Sequence, residues 1–273
     1  MRWLVALDVD GTLVDHDEVL SPAVRSAVRD VVAAGHHVVV ATGRSLDSAY
    51  PVLGWLGLTP SGEEAPKPYV SPLVCSNGAV TVQVDPALPA GREITDVVTF
   101  DPAPVLRLLV EDLPGAAFAV EDVGVGFKVA GPFPEDELTG RISHVPFAEL
   151  LDAPACRVVV RSPEHTPEDF LEITARLGLK GVNYSVGWSA WLDLAPEGVS
   201  KASALEVVRQ RLGVDPARTF AMGDGRNDLE MLRWAARGVA MGQAPEEVKE
   251  TADEVTGTVH EDGAAAALAT LPR

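Results

Sequence analysis

Asp8-Val9-Asp10-Gly11-Thr12 places two carboxylates one residue apart, directly after the apolar run Trp3 to Leu7. Where a strand ends and the chain turns, both acids can face one site. Gly11 lets the backbone approach a ligand there and offers an N–H group. A second acidic turn, Gly223-Asp224-Gly225-Arg226-Asn227-Asp228, follows the run Thr219 to Met222. Two acids and an amide on such a turn suit a hard cation with oxygen ligands, such as Mg²⁺. Lys201 stands at a helix start after Ser200, and only five of the 22 basic residues are lysines (67, 128, 180, 201 and 249). A cation at a helix N-terminus opposes the macrodipole. That cost is understandable if an anion such as phosphate lies at the same helix end. Thr42-Gly43-Arg44 closes a further β-branched run, Val38 to Ala41.

Each motif taken alone has an ordinary explanation. DxDG can be a solvated acidic turn, but not an EF-hand: counted from Asp8, the twelfth position is Val19 and the glycine sits fourth. Asp224 to Asp228 can be a helix N-terminus with its usual acidic and amide caps. Lys201 can be a solvated surface lysine. Thr42-Gly43-Arg44 can be turn punctuation.

The elements that must position these residues are legible on both sides of a different middle. Ser21-Pro22 opens a helix whose apolar face is Val24, Val28, Val31 and Val32, stopped by Gly35. A helix is expected after Ser45, with Pro51 blurring its boundary. Residues 58–72 read as a loop and Leu73 to Cys75 as a strand. Ser200 caps a helix through Leu205, Val208 and Leu212 to Gly213. Asn227 to Arg237 reads as a helix, Gly238 to Met241 as a strand and Pro245 to Ala252 as a helix. Such alternation argues for a parallel sheet with helices on both faces. In the middle, strands are expected at Val97–Phe100, Ala117–Glu121, Gly124–Ala130, Arg157–Val160 and Val182–Val186. Helices are expected at Pro104–Leu113 and Glu168–Leu177. This is an α+β module within an α/β chain. Its charged residues include Glu121, Asp122, Glu135, Asp136, Glu137, Lys128, Arg157 and Arg161. Lys128 and Arg161 read as solvated, and Trp188 and Trp191 as core residues.

The 40 acidic residues outnumber the 22 basic ones, for a formal charge of −18 and a pI near 4.6. Such a surface argues against nucleic acid or an anionic membrane held by bulk charge. The hydrophobic share of 47% is too high for a disordered chain. Cys75 and Cys156 form no metal-ligand spacing and read as two buried thiols in a reducing compartment. The first apolar run is too short for a signal peptide, and no stretch reaches the length of a membrane helix. A cytoplasmic protein is the expectation.

The order of the motifs adds what none carries alone. DxDGT, a strand-end Thr, a Lys and GDxxND, in that sequence, resemble the haloacid dehalogenase-like (HAD) superfamily, closest to its Cof-type, or IIB, phosphatases. The resemblance extends to Ala41-Thr42-Gly43-Arg44, Ser76-Asn77-Gly78-Ala79, Pro196 to Lys201, Gly238 to Gly242, Ala252-Asp253 and Glu261-Asp262-Gly263. It implies a Rossmann-like doubly wound core, residues 1–83 and 188–273, interrupted by an α+β cap at 84–187 that selects the substrate. It also implies an Mg²⁺-dependent phosphatase acting on small phosphomonoesters, with sugar phosphates preferred. Asp8 would be the nucleophile, already ionised at neutral pH. Asp10 would protonate the leaving group and then activate water, which needs a raised pKa. The metal ligands would be the Asp8 carboxylate, the Asp10 carbonyl and Asp224, with Asp228 in support. Thr42, the N–H groups of Gly11 and Gly43, Lys201 and Asn227 would cradle the phosphoryl oxygens. Arg44 would reach the phosphate or the cap. The acid at Asp10 separates phosphatases from the transport ATPases, which carry threonine there, and from the dehalogenases, which lack it. Gln243 departs from the family's usual Asn and is expected to matter for packing more than chemistry. A phosphomutase using the same nucleophile, and a non-catalytic sugar-phosphate binder, stay open as alternatives.

Overall fold

The computed structural model describes residues 2–59, 69–133, 137–186 and 191–273. Lys67, Glu135, Asp136 and Trp188, all singled out above, lie outside the described residues, as does most of the expected 58–72 loop.

The N-terminal elements are β1 (Leu4–Leu7), α1 (Pro22–Ala33), β2 (His37–Val40), α2 (Leu46–Trp55), β3 (Ser71–Cys75), β4 (Val80–Val84) and β5 (Arg92–Val97). Then come α3 (Ala103–Asp112), β6 (Ala117–Asp122), β7 (Gly126–Ala130), β8 (Arg141–His144), β9 (Val158–Arg161), α4 (Pro167–Leu177), β10 (Val182–Val186) and β11 (Trp191–Pro196). The chain closes with α5 (Lys201–Leu212), β12 (Thr219–Gly223), α6 (Leu229–Trp234), β13 (Arg237–Ala240), α7 (Glu246–Thr251), β14 (Glu254–Val255) and α8 (Gly263–Leu268). No helix among the described residues is long and apolar enough to cross a membrane.

Five strands form a parallel sheet in the order β14-β13-β12-β1-β2. β1 is buried throughout because both its faces are covered. Val5 and Leu7 pack with Val24, Val28 and Val31 of α1, while Leu4 and Ala6 pack with Ala204, Leu205 and Val208 of α5. A strand covered on both sides reads as an unbroken apolar run rather than an alternating one, which is why it was legible. Ser21 caps α1 by accepting from the Val24 N–H, and Gly213 ends α5 in the left-handed region. Pro51 sits inside α2, so the helix that it blurred in the sequence is present.

A second sheet, β3-β4-β5, is antiparallel and joins the first through a bridge between Ala41 and Val74. The third sheet has six strands in the order β10-β11-β9-β6-β7-β8, antiparallel except for β7 with β8. One of its faces packs Phe118, Val158, Val160 and Leu194 under Leu106 and Leu109 of α3 and Phe170 of α4. Its other face carries Ala119, Phe127 and Val159, with Trp191 alongside.

Several elements differ from the sequence expectation, which named none of β8, β11, β14 and α8. The strand expected at Val97–Phe100 lies earlier, at Arg92–Val97. It is an edge strand with no buried residue, and even its apolar side chains Ile94 and Val97 are exposed, so it carries no alternating apolar pattern. β4 was not expected at all. The expected loop to residue 72 gives way to strand at Ser71. The expected helix Asn227–Arg237 is a 3₁₀ turn, Arg226–Asp228, followed by α6, which ends at Trp234 because Arg237 already pairs with Phe220 in the parallel sheet.

Candidate active site

The carboxyl ends of β1, β2 and β12 lie side by side, so Asp8, Thr42 and Asp224 follow three neighbouring strand ends. Ligands bind at this edge of an open parallel sheet. Lys201 enters from the first turn of α5. It is completely buried, and its ammonium donates to Asp8 Oδ1 at 2.6 Å and Asp228 Oδ1 at 2.7 Å. The solvated-lysine explanation is therefore excluded.

Asp8, Asp224 and Asp228 are buried, and each brings a carboxylate oxygen within 4.8 Å of the others. Asp228 Oδ2 also accepts from the Asp224 and Gly225 N–H groups, so both of its oxygens are occupied within the protein. Asp8 Oδ2 and Asp224 Oδ1 take no hydrogen bond from the described residues. Three carboxylates against one ammonium leave a deficit of two positive charges in a site of hard oxygen donors. That donor set and that deficit fit one divalent cation such as Mg²⁺. Without such an ion, burial and then the Asp228 charge push the Asp8 carboxyl well above its ordinary range, against the pull of Lys201. The same two causes push Asp224 up to about 7. Burial works against the Lys201 ammonium, but Asp228 and Asp8 outweigh it, and Lys201 stays charged.

Gly11 contributes differently from the sequence expectation. Its N–H donates to the Val14 carbonyl at 2.8 Å and is not free for a ligand. What the glycine supplies is room. With φ at +77°, a Cβ would fall 2.1 Å from Asp224 Oδ2. Gly43 has no such bond, and its N–H is unpaired among the described residues. Thr42 is buried, and its hydroxyl accepts from the Arg44 N–H at 3.0 Å. Asn227 donates to Asn77 Oδ1 at 3.0 Å, which anchors its amide beside Gly43.

Asp10 stands apart from the buried cluster. Its side chain is 56% exposed and held by the Arg44 guanidinium, with contacts of 2.6 to 3.2 Å. Arg44 also pairs with Glu18 at 2.8 Å.

Gln243 reaches further into the site than packing alone would require. Its Nε2 donates to the Gly11 carbonyl at 2.5 Å and to Asp224 Oδ2 at 3.2 Å. Its Oε1 accepts from the Val259 N–H at 3.1 Å. The side chain ties the first acidic turn, the second and the C-terminal segment together. The sequence signal was its departure from the family's usual Asn, and the expectation of a packing role did not foresee these bonds to the acidic turns.

These residues open into a cavity of about 370 Å³. The core lines it with Asp8, Asp10, Gly43, Arg44, Asp224 and Asn227. The six-stranded sheet lines it with Phe127, Arg157, Ser185, Trp191 and Asp193. Trp191, expected in a core, is a half-buried part of this wall. Arg161, expected to be solvated, is paired with Glu137 at 2.9 Å.

A family model for haloacid dehalogenase-like hydrolases matches residues 5–98 and 137–268. The chain belongs to this family, in its Cof-type branch. Among curated relatives, YkrA of Bacillus subtilis is 30% identical over 275 residues, covering 98% of this chain and 97% of YkrA. The 5-amino-6-(5-phospho-D-ribitylamino)uracil phosphatase YcsE of Bacillus subtilis is 29% identical over 266 residues, covering 97% and 94%. Among solved structures, the HAD subclass IIB sugar phosphatase BT4131 superposes with a TM-score of 0.79 over 98% of each chain at 23% identity. That likeness establishes the shared fold.

Proposed function

We propose that this HAD-family hydrolase is a phosphatase that hydrolyses small phosphomonoesters, sugar phosphates among them, through an aspartyl-phosphate on Asp8. The observation that carries the reading is the buried Lys201 bonded to both Asp8 and Asp228, with Asp224 beside them, so that one cation serves three buried acids. Phosphatase-named relatives support the same class of reaction. Bound Mg²⁺, held by Asp8, Asp224 and the Asp10 carbonyl with Asp228 in support, would neutralise charge on the nucleophile and the phosphoryl oxygens.

The attacking oxygen belongs to the Asp8 carboxylate, whose Oδ1 accepts from Lys201 while Oδ2 takes no hydrogen bond from the described residues. It forms a bond to phosphorus as the ester oxygen leaves with the bonding electrons. Asp10 supplies a proton to that oxygen and later removes one from the attacking water, releasing phosphate and free Asp8. Asp10 must first lose its Arg44 partner. The incoming phosphoryl group competes for the same guanidinium, so in this reading substrate binding frees the Asp10 side chain to turn toward the ester oxygen. Thr42, the Gly43 N–H, Lys201 and Asn227 position the transferring group. We further propose a core interrupted by a cap, which the sequence reading places at 1–83 with 188–273 and at 84–187. Strand pairing runs against both limits: β5, at 92–97, pairs with β4 of the core, and β11, at 191–196, pairs with β9 and β10 of the cap, which supports moving the two boundaries to about residues 97 and 196. Two buried free thiols support a reducing, cytoplasmic location.

Phosphate release is to be measured over a panel of phosphorylated metabolites, for wild type and Asp8→Asn, with Mg²⁺ and with EDTA. Turnover is expected only from the wild type with Mg²⁺. Equal rates in the two proteins would remove the nucleophile assignment.

A further inference from the structure

The wall that faces the catalytic cluster holds an arginine with unmet donors. Arg157 is 7% exposed, yet it lines the cavity. Its Nε donates to Asp193 Oδ1 at 2.6 Å, and its guanidinium lies 6.0 Å from the Phe127 ring centroid. Asp193 is held in turn, because Oδ2 accepts from Trp191 Nε1 at 3.0 Å. The strand pleat explains the grouping. Arg157 and Asp193 alternate with Val158, Leu192 and Leu194, which enter the core under α3 and α4. No described residue accepts from the four terminal N–H donors of Arg157. These donors are not sealed in the protein, so a ligand or water in the cavity can meet them.

The charge of the cavity limits that ligand. Six carboxylates and three arginines line it. Each arginine is already committed: Arg44 to Asp10 and Glu18, Arg157 to Asp193, and Arg226 to Glu247. A second anionic group on the substrate would find no uncommitted cation there. Hydroxyl or carbonyl oxygens would still accept from Arg157, and the Phe127 and Trp191 rings would cover carbon.

We propose that Arg157, oriented by Asp193, is a specificity-determining residue. It donates to an oxygen of an uncharged, hydroxyl- or carbonyl-bearing leaving group, and the cavity disfavours leaving groups with a second negative charge. This rests on the phosphomonoesterase reading above.

The test compares kcat/KM with Mg²⁺ for glucose 6-phosphate, phenyl phosphate, 6-phosphogluconate and phosphoglycolate. Wild type should prefer glucose 6-phosphate to both carboxylated esters by tenfold or more. In Arg157→Met, the ratio of glucose 6-phosphate to phenyl phosphate should fall between tenfold and about a hundredfold, carried by KM. Arg157→Lys keeps the charge opposite Asp193 but loses the fork; it should show the same fall and serves if Arg157→Met does not fold. A wild type that prefers the carboxylated esters overturns the proposal, and so does an unchanged ratio in both variants. A wild type inactive on all four esters removes the phosphatase reading itself, and this proposal with it.

Discussion

Removing the Lys201 ammonium should destabilise the metal-free protein more than any other single truncation in the site. In Lys201→Met the side chain keeps its bulk, but Asp8 Oδ1 and Asp228 Oδ1 lose partners at 2.6 and 2.7 Å. Asp224 lies in the same buried group, so three carboxylates remain with no cation. Breaking a buried pair from one side costs about 3–5 kcal/mol, since the remaining charge is stranded. For a domain of this size that is a fall in Tm of about 6–20 °C. The sign with pH follows from protonation. Carboxyls stranded in this way have raised pKa values and take up protons as the pH falls, so the loss should be greatest near pH 8 and smaller near pH 5. A divalent cation supplies charge to the same oxygens, so the gap between variant and wild type should narrow in saturating MgCl₂. Urea unfolding in EDTA and in MgCl₂, at both pH values, measures all of this. A loss under about 1 kcal/mol in EDTA at pH 8, or one that does not change with pH, would refute the stranded-charge argument.

Two further outcomes test the frame around the acids. Gln243→Leu removes the donor to Asp224 and the Gly11 carbonyl, and Mg²⁺ affinity by calorimetry should weaken about 10–100-fold; an unchanged Kd would return Gln243 to a packing role. Because Asp224 is pushed up to about 7 in the metal-free protein, Mg²⁺ must displace a proton below that pH. Affinity should fall by up to about tenfold per pH unit from 7 to 6, with matching proton release into the buffer, and a constant Kd across pH 8 to 6 would contradict it. The same shift acts on stability with a definite sign. The metal-free folded state binds more protons than the unfolded chain between about pH 4 and 7, so this group favours folding more as the pH falls through 7.

What the sequence by itself determined is whatever depends on near neighbours along the chain. β1 was legible because burial on both faces leaves an unbroken apolar run, and the acid at its end marks the sheet edge. α1 and α5 were legible from a serine cap, a periodic face and a closing glycine. Lys201 stood out because lysine is scarce in a chain that favours arginine. The strand β5 was misplaced because it lies at a sheet edge with no buried residue, its apolar Ile94 and Val97 included, and so has no alternating pattern to read. Asp10 and Gly11 could be named but not assigned their contacts. Only the fold brings Arg44 onto Asp10 across 34 residues, and only the turn closing on Val14 takes the Gly11 N–H. Gln243 and the Gly11 carbonyl are 232 residues apart, and Arg157 and Asp193 are 36 apart on strands that are neighbours only in the sheet. Residue type and local spacing decide which groups can do chemistry. Packing decides which of those groups meet, because a hydrogen bond or ion pair acts over a few ångströms and is indifferent to the length of chain between its partners.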